Sequence, residues 1–163
     1  MDGTLVHTSS KVEDLSNKLS DELRCVRNIP FELVPKELIE QIRPYADPPS
    51  YEKWLGWCPY FNKMPSYWNI AFINEEDQVM AFYYGTWDPC GAQMHIIRMT
   101  VHPKVFKIGG EIAKRFLVEC KKLAKEFDVR RIYGITCRYK AFLRKLPNDV
   151  EVVEARVVEV LNV

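Results

Sequence analysis

The middle of the chain alternates short apolar runs with polar turn residues, and this pattern predicts β-structure. Runs rich in aromatic and β-branched residues and bounded by polar clusters are typical of strands. Three strands are predicted in this way, at Tyr67–Ile73, residues 78–87 and Gln93–Val101. The polar segments 74–77 and 88–91 that separate them are short enough for tight turns, so we expect antiparallel pairing.

A helical pattern follows the third strand. Gly109 and Gly110 precede apolar residues at the three- and four-residue spacing of one helix face, which predicts a long amphipathic helix to about Phe127. Its predicted buried stripe consists of Ile112, Ala113, Phe116, Leu117, Cys120, Leu123 and Ala124. A strand over 130–136, a short helix over 139–145 and a β-rich segment over 150–163 complete the chain, and the last segment fits one bulged strand or two.

The first 25 residues are interpreted as an N-terminal extension with its own helix. Ser10 and Glu13 form a capping box, and leucines follow at helical spacing. Residues 26–33 are predicted to form a short edge strand, because Pro30 is tolerated in a sheet only at an edge. A helix is then predicted from Pro35 to about residue 46, and residues 26–163 are expected to form a single domain.

The order of these elements predicts the fold class. A helix–strand–helix start, three antiparallel strands and a strand–helix–strand unit together indicate a mixed α/β (α+β) architecture. The expected domain has a mixed, mostly antiparallel central sheet flanked by helices on both faces. A strand–helix–strand unit forms a right-handed crossover, so the strands on either side of the long helix are expected to pair in parallel.

The segment 47–66 combines prolines with many aromatic residues. It is predicted to form a helical turn followed by an aromatic loop, since four prolines interrupt it. Clustered exposed aromatic residues are typical of binding surfaces, which makes Trp54, Trp57 and Tyr60 candidate substrate contacts. A hydrophobic flap over the core is the equally weighted alternative.

Composition and charge add one feature to the predicted fold, which is an uneven distribution of charge along the chain. The 163 residues are 47% hydrophobic and 28% charged with a net charge of +1, which excludes a disordered or globally polybasic chain. The charge is uneven: residues 102–147 hold thirteen basic and four acidic side chains, a net of +9, whereas residues 1–101 have a net of −5. A basic block of this kind indicates a site for phosphates or acidic partners.

Several other classes of protein are disfavoured. The five cysteines contain no CxxC pair and do not combine with the three histidines at ligand spacing, so no metal site is predicted. No apolar run is long enough for a membrane span and no secretory signal is present, so a cytoplasmic location is expected. Nucleic-acid binding rests on the basic block alone, because no recognised motif accompanies it.

The strongest local signal is a strand that ends in His-Pro and leads through a basic segment with Gly-Gly into a helix. Helix N-termini bind anions because their first amide groups are unpaired and the dipole is positive there. Glycines allow close approach to the backbone, and Lys104 and Lys107 add charge, so a diphosphate ligand is indicated. A plain turn is the alternative interpretation.

The segment Val101-His102-Pro103 and the loop after it resemble the GCN5-related N-acetyltransferases (GNATs), in which a strand ending V-x-P precedes R/Q-x-x-G-x-G/A. The resemblance covers about four fifths of the chain and implies the GNAT fold, with acetyl-CoA held at this loop and its acetyl group transferred to an amine. In one register, Lys107 matches the R/Q position and Gly110 the first glycine, while Ile112 stands at the second. Helix phasing instead favours Ala113 at the second, small position, which puts Glu111 at the first glycine. The residues implied in cofactor binding are Met99, Val101, Lys107, Ile108, Gly109, Gly110, Glu111 and Ile112.

The resemblance also implies where acid catalysis should occur. The family uses a tyrosine to protonate the departing CoA thiolate, and Leu143 stands at that position here. Tyr139, one helical turn earlier, and Cys137, which begins that turn, are the candidate replacements, and the alternative is that both are packing residues.

A general base must accept a proton from the attacking amine. His102 is the candidate, because it lies at the strand end nearest the loop and its unperturbed pKa is close to neutral. His95 and Asp88 are the alternatives. A regular strand would place His95 on one face with Ile97 and Met99, which favours a core histidine.

The second glycine and the catalytic tyrosine of the family pattern are both missing here, and these departures support a second resemblance. The run FKIGGEIAKRF with the short helix after it is similar to small, degenerate GNAT-like proteins of tailed phages. Some of these are internal virion or capsid-assembly proteins. The alternative implied is a catalytically inactive GNAT-fold protein with a structural or host-protein-binding role, located in the host cytoplasm or the virion interior.

Overall fold

The structure is a computed structural model that describes residues 18–41 and 50–134. Its sheet contains five strands in the order β1-β2-β3-β4-β5. The strands are β1 (Arg24–Arg27), β2 (Tyr67–Ile73), β3 (Val79–Asp88), β4 (Gln93–Val101) and β5 (Arg131–Gly134). The helices are α1 (Lys36–Glu40), α2 (Tyr51–Lys63) and α3 (Gly109–Glu126), with 3-10 helices at Phe31–Leu33 and Pro103–Ile108.

The sheet is mixed, as predicted. Strands β1 to β4 pair antiparallel in succession, and β4 pairs with β5 in parallel. The parallel pair requires a crossover connection, and α3 provides it. The predicted fold class is therefore confirmed, with α3 on one face of the sheet and α1 and α2 on the other.

The edge position of β1 is confirmed, but the strand ends earlier than predicted. Asn28 adopts a left-handed conformation with φ of 54°, which stops the extended backbone. The next residues form the 3-10 helix Phe31–Leu33, for which Pro30 is the N-cap residue. Pro30 therefore lies just outside the strand and removes no hydrogen bond from the sheet.

One core lies between α3 and the sheet. Ile112, Phe116 and Cys120 are fully buried on the sheet-facing side of α3, at the spacing that the sequence predicts. Phe116 stacks on Tyr83 of β3, with ring centroids 4.1 Å apart and planes at 11°. A stacked aromatic pair of this kind adds to the free energy gained by burial of the two rings.

The second core lies between the opposite face and the two shorter helices. Here the predicted aromatic loop is wrong, because residues Tyr51–Lys63 form a continuous helix that contains Pro59. Ser50 caps it by accepting a hydrogen bond from the Lys53 amide at 3.2 Å. Trp54, Cys58 and Phe61 recur at helical spacing on its buried side. Their packing stabilises the helix against the loss of one backbone hydrogen bond at the proline.

A β-bulge interrupts the pairing of β3 with β4. Tyr84 pairs with Arg98, whereas the next residue, Gly85, pairs with Ile96, so Ile97 is an extra residue in β4. The predicted regular strand is therefore wrong at this point. His95 and Ile97 lie on the face of α1 and α2, and Met99 lies on the face of α3.

The described part of the N-terminal extension packs against α3. Leu23 is buried in the α3 core, and the Arg115 guanidinium donates to the carbonyl oxygens of Ser20 and Leu23, the latter at 2.8 Å. The same guanidinium lies 5.0 Å from the centroid of the Phe72 ring. The division of the chain after residue 25 stays a prediction, with residues 18–25 attached to the rest by these contacts.

Candidate functional site

The candidate site begins where β4 leads into α3. His102 caps the intervening 3-10 helix, since its Nδ1 accepts a hydrogen bond from the Lys104 amide at 3.2 Å. The predicted basic loop is therefore a short helix, Pro103–Ile108, which ends directly at Gly109. This connection places the basic side chains next to the N-terminus of α3.

Among the described residues, no side chain caps the N-terminus of α3. Its N-cap residue is Ile108, which offers no hydrogen-bonding side chain to the first amide groups. Gly109 has an ordinary helical conformation, with φ of −56°, and a Cβ there would meet Val101 Cγ1 at 3.9 Å, an ordinary contact. Neither conformation nor packing requires this glycine. Since glycine is unfavourable in a helix, its presence is better explained by a ligand that approaches the backbone.

The predicted cofactor residues divide into two kinds at this helix end. Lys107 is exposed and can bring its charge to an anion, whereas Ile108 and Ile112 are buried and have only backbone groups to offer. The Glu111 carboxylate, which would repel a diphosphate, pairs with Lys114 at 3.0 Å. This ion pair offsets the negative charge in the first turn of the helix.

Met99 and Val101 approach the site along β4. They pair with Tyr83 and Ala81 of β3, and both side chains are half-buried against the α3 core. Strand β4 pairs with β5 from Gln93 to Ile96, and this pairing reaches Gly134, the last residue that the structure describes.

The hydrogen bond made by the His102 ring argues against its predicted role as a general base. Because Nδ1 accepts a hydrogen bond, the proton of the neutral ring lies on Nε2. No lone pair is then free to accept a proton from an amine. Tyr139 and Cys137, the predicted thiolate acids, lie outside the described residues.

His95 lies at a different place in the site. It is two residues before the bulge, and its ring stacks on Tyr133 of β5 with centroids 4.6 Å apart and planes at 6°. Burial lowers the pKa of His95 below its ordinary value, so the ring is neutral at pH 7. A neutral, half-buried imidazole beside an irregular strand is able to accept a proton.

Arg98 is a site residue that the sequence reasoning missed. Its Nε and Nη1 atoms are buried and lack a hydrogen-bond partner within the described part of the chain. Burial raises the pKa of the neighbouring Tyr84 hydroxyl, while the charge of Arg98 and a side-chain hydrogen bond with it act in the opposite direction. The signal was present in the sequence, because Arg98 is the one lysine or arginine between Lys63 and Lys104 and lies in an apolar strand.

The three predicted substrate residues have different surroundings. Trp54 is fully buried, and its Nε1 donates to the Phe31 carbonyl oxygen at 3.3 Å, so it is not available to a substrate. Trp57 and Tyr60 are exposed on the outer side of α2, with 41% and 54% of their surface accessible. They stay candidate contacts, whereas Trp54 is a core residue.

Comparison with known proteins supports the fold. No protein-family model matches the sequence, and a search of curated proteins finds no significant match. Solved structures do match. The aminoglycoside 6'-N-acetyltransferase AAC(6')-Ih from Acinetobacter baumannii is 13% identical, covers 86% of this chain and 99% of its own, and superposes with a TM-score of 0.64.

Two further solved structures of acetyltransferases also match the fold of this chain. The ribosomal-protein-alanine N-acetyltransferase of Brucella melitensis biovar Abortus 2308 is 12% identical over 86% of this chain and 99% of its own, with a TM-score of 0.59. AAC(6')-Iy in complex with a bisubstrate analogue of CoA is 11% identical over 83% and 98%, with a TM-score of 0.58.

The chain has the GNAT fold. In this fold, the connection from β4 to α3 is the segment that the sequence singled out by its resemblance to the acetyl-CoA loop. Among residues 18–41 and 50–134, no group of histidine, cysteine and carboxylate side chains has the arrangement of a metal site. No helix in these ranges is both long and apolar enough to cross a membrane.

Proposed function

We propose that this GNAT-fold chain is an N-acyltransferase that transfers the acetyl group of acetyl-CoA to an amine. The observation that carries the proposal is the path of β4, which is bulged at Ile97 and continues into an uncapped, glycine-led helix N-terminus. A bulge beside an anion-binding helix end offers separate places for the reacting group and for the diphosphate of a long cofactor.

The diphosphate would bind at the N-terminus of α3. The backbone amides of Gly110 and Glu111, in the first turn of α3, would supply donors together with the positive end of the helix dipole. Lys107 supplies a full charge from the last turn of the preceding 3-10 helix.

The pantetheine arm would follow β4 from Val101 back to the bulge. The four residues between Val101 and Ile97 span roughly 13 Å at the rise of a β-strand. Acetyl-CoA itself supplies the thioester, and an extended arm of this length brings it to the bulge.

At the bulge, the backbone of Ile97 lies outside the regular ladder. Its N–H group is therefore a candidate donor to the thioester carbonyl oxygen, where negative charge develops during attack. His95, two residues earlier and neutral at pH 7, is better placed than His102 to accept the amine proton. The proton donor to the thiolate stays a prediction at Tyr139 or Cys137.

Ligand-dependent thermal stability tests cofactor binding. Acetyl-CoA at 100 times its dissociation constant should add about 2.7 kcal/mol to the free energy of unfolding. Lys107→Glu should remove most of this shift, because it reverses the charge at the N-terminus of α3. Lys125→Glu, an exposed change in the last turn of the same helix, is the matched control and should keep the shift. No shift in the wild type at millimolar acetyl-CoA would contradict the proposal.

Turnover is tested separately with a panel of amines, by measuring the free thiol released from acetyl-CoA. Amine-dependent release supports the acyltransferase. Binding of acetyl-CoA without release for any amine would favour the alternative, a non-catalytic protein of the phage type that binds a partner. Exposed Trp57 and Tyr60 on α2 are the feature that favours that alternative.

A further inference from the structure

Arg98 is a half-buried residue, and two nitrogen atoms of its guanidinium are buried without a partner among the described residues. These atoms are Nε and Nη1, which find no acceptor in residues 18–41 and 50–134. Leaving a buried donor without a partner carries a desolvation penalty. Two adjacent donors on one guanidinium match the geometry of a carboxylate, and no described carboxylate accepts from them.

The carboxylates on the elements packed against this face are engaged elsewhere or exposed. Glu32 accepts a hydrogen bond from Asn62 at 2.6 Å, and Glu40 pairs with Lys36 at 3.5 Å. Glu37 and Glu52, the other described carboxylates of α1 and α2, are exposed at the surface.

Further positive charge lies on the same face of the sheet. The parallel register pairs Gln93 with Arg131 and His95 with Tyr133, so Arg131 lies on the same face as His95. Arg98 pairs with Tyr84 on this face and is adjacent in sequence to the bulge residue Ile97. The surroundings of the bulge are therefore positive on the side that faces away from α3.

We propose that Arg98 binds a carboxylate of the acceptor, so that the substrate is an amine that also carries a carboxylate, as an amino acid or a peptide does. This inference rests on the proposed acyltransferase function and adds the class of acceptor to it. The guanidinium holds the carboxylate by charge-assisted hydrogen bonds, and the Tyr84 hydroxyl lies beside it. A polycationic amine, such as an aminoglycoside, meets an unfavourable charge at the same position.

Matched pairs of acceptors test this assignment. Amino acids or dipeptides are compared with their C-terminal amides at saturating acetyl-CoA, because each pair differs in one charge and little in shape. For the acceptors that are used, the wild type should prefer the acid by roughly ten- to a hundredfold in kcat/KM. Arg98→Gln should abolish this preference, because kcat/KM for the acid falls to about the value for the amide. Arg98→Lys keeps the charge and should retain part of the preference.

The inference would be overturned if the wild type had equal kcat/KM for the acid and the amide. It would also be overturned if Arg98→Gln lowered kcat/KM for both acceptors by the same factor. Thermal stability separates this failure from failure of the proposed function. Arg98→Gln should keep the stabilisation by acetyl-CoA, which also shows that the variant is folded. If acetyl-CoA does not stabilise the wild type, the acyltransferase function itself is contradicted. If acetyl-CoA stabilises the wild type but acid and amide are used equally well, only the role of Arg98 is contradicted.

Discussion

A Cβ atom on Gly85 would lie 1.8 Å from the carbonyl oxygen of His95 and 2.6 Å from Cζ2 of Trp68. The backbones of β3 and β4 thus approach one another here more closely than any other residue would permit. This approach occurs at the bulge, where Gly85 pairs with Ile96 and Ile97 is extra. The glycine in one strand therefore determines the irregular shape of the next strand, on which the candidate site is built.

Gly85→Ala should destabilise the protein by about 3 kcal/mol, because neither the carbonyl group nor the buried Trp68 ring can move away easily. Chemical denaturation measures the change. Gly56→Ala is the matched control, since Gly56 lies within α2 and a Cβ there meets nothing within 4 Å. The control should be stabilised by about 0.5–1 kcal/mol through helix propensity. A wild-type stability for Gly85→Ala would contradict the close approach.

Trp54 and Trp57 should respond differently to replacement by alanine. Trp54→Ala removes a fully buried ring and its hydrogen bond to Phe31, so a loss of about 3–5 kcal/mol is expected. Trp57→Ala removes a ring that is 41% exposed and should change the free energy of unfolding by less than about 1 kcal/mol. If Trp57 contacts the acceptor, its replacement raises KM without changing stability. Comparable destabilisation by both changes would contradict the assignment of α2.

The lowered pKa of His95 predicts a pH dependence of stability. Burial disfavours the charged ring, so the folded state binds a proton less readily than the unfolded state, whose histidine has a pKa near 6.5. The stabilisation is therefore present above pH 6.5 and is lost as the pH falls through the lower pKa of the folded state. His95→Gln removes this contribution and should flatten the curve between pH 5 and pH 7, measured by urea denaturation. An unchanged slope in the variant would show that His95 is not the group responsible.

The described cysteines should differ in reactivity towards a disulfide reagent at pH 8. Cys90 is exposed, whereas burial raises the pKa of Cys58 to about 11 and that of Cys120 to about 12. Burial also raises the pKa of half-buried Cys25. Since the thiolate is the reactive form, a Cys137→Ser background should show one fast thiol, which Cys90→Ser removes. A second fast thiol in the folded Cys137→Ser variant would contradict the burial of the others.

The strands of the hairpin and the long helix were predictable because their signals are local. The strand Tyr67–Ile73 is a short, almost wholly apolar run because both of its faces are buried. The spacing of Ile112, Phe116 and Cys120 reflects the one buried face of α3. The helix α2 was not predicted, because its prolines were given more weight than the stripe of Trp54, Cys58 and Phe61. Packing of that stripe decides the conformation, and packing is not a local property of the sequence.

The sequence by itself determined the element order, the mixed sheet and the basic, glycine-led start of α3. Periodicity, turn residues and charge are local properties, which can be recognised from neighbouring residues in the sequence. Only the tertiary structure decided which side chains meet. The bulge at Ile97 depends on contact between Gly85 and the backbone of another strand, and it moves Met99 to the opposite face from His95. Likewise, Nε and Nη1 of Arg98 have no partner among the described residues because packing excludes water from these two atoms. Both effects arise from contacts between distant segments, and for that reason the candidate acceptor site became visible only in the folded chain.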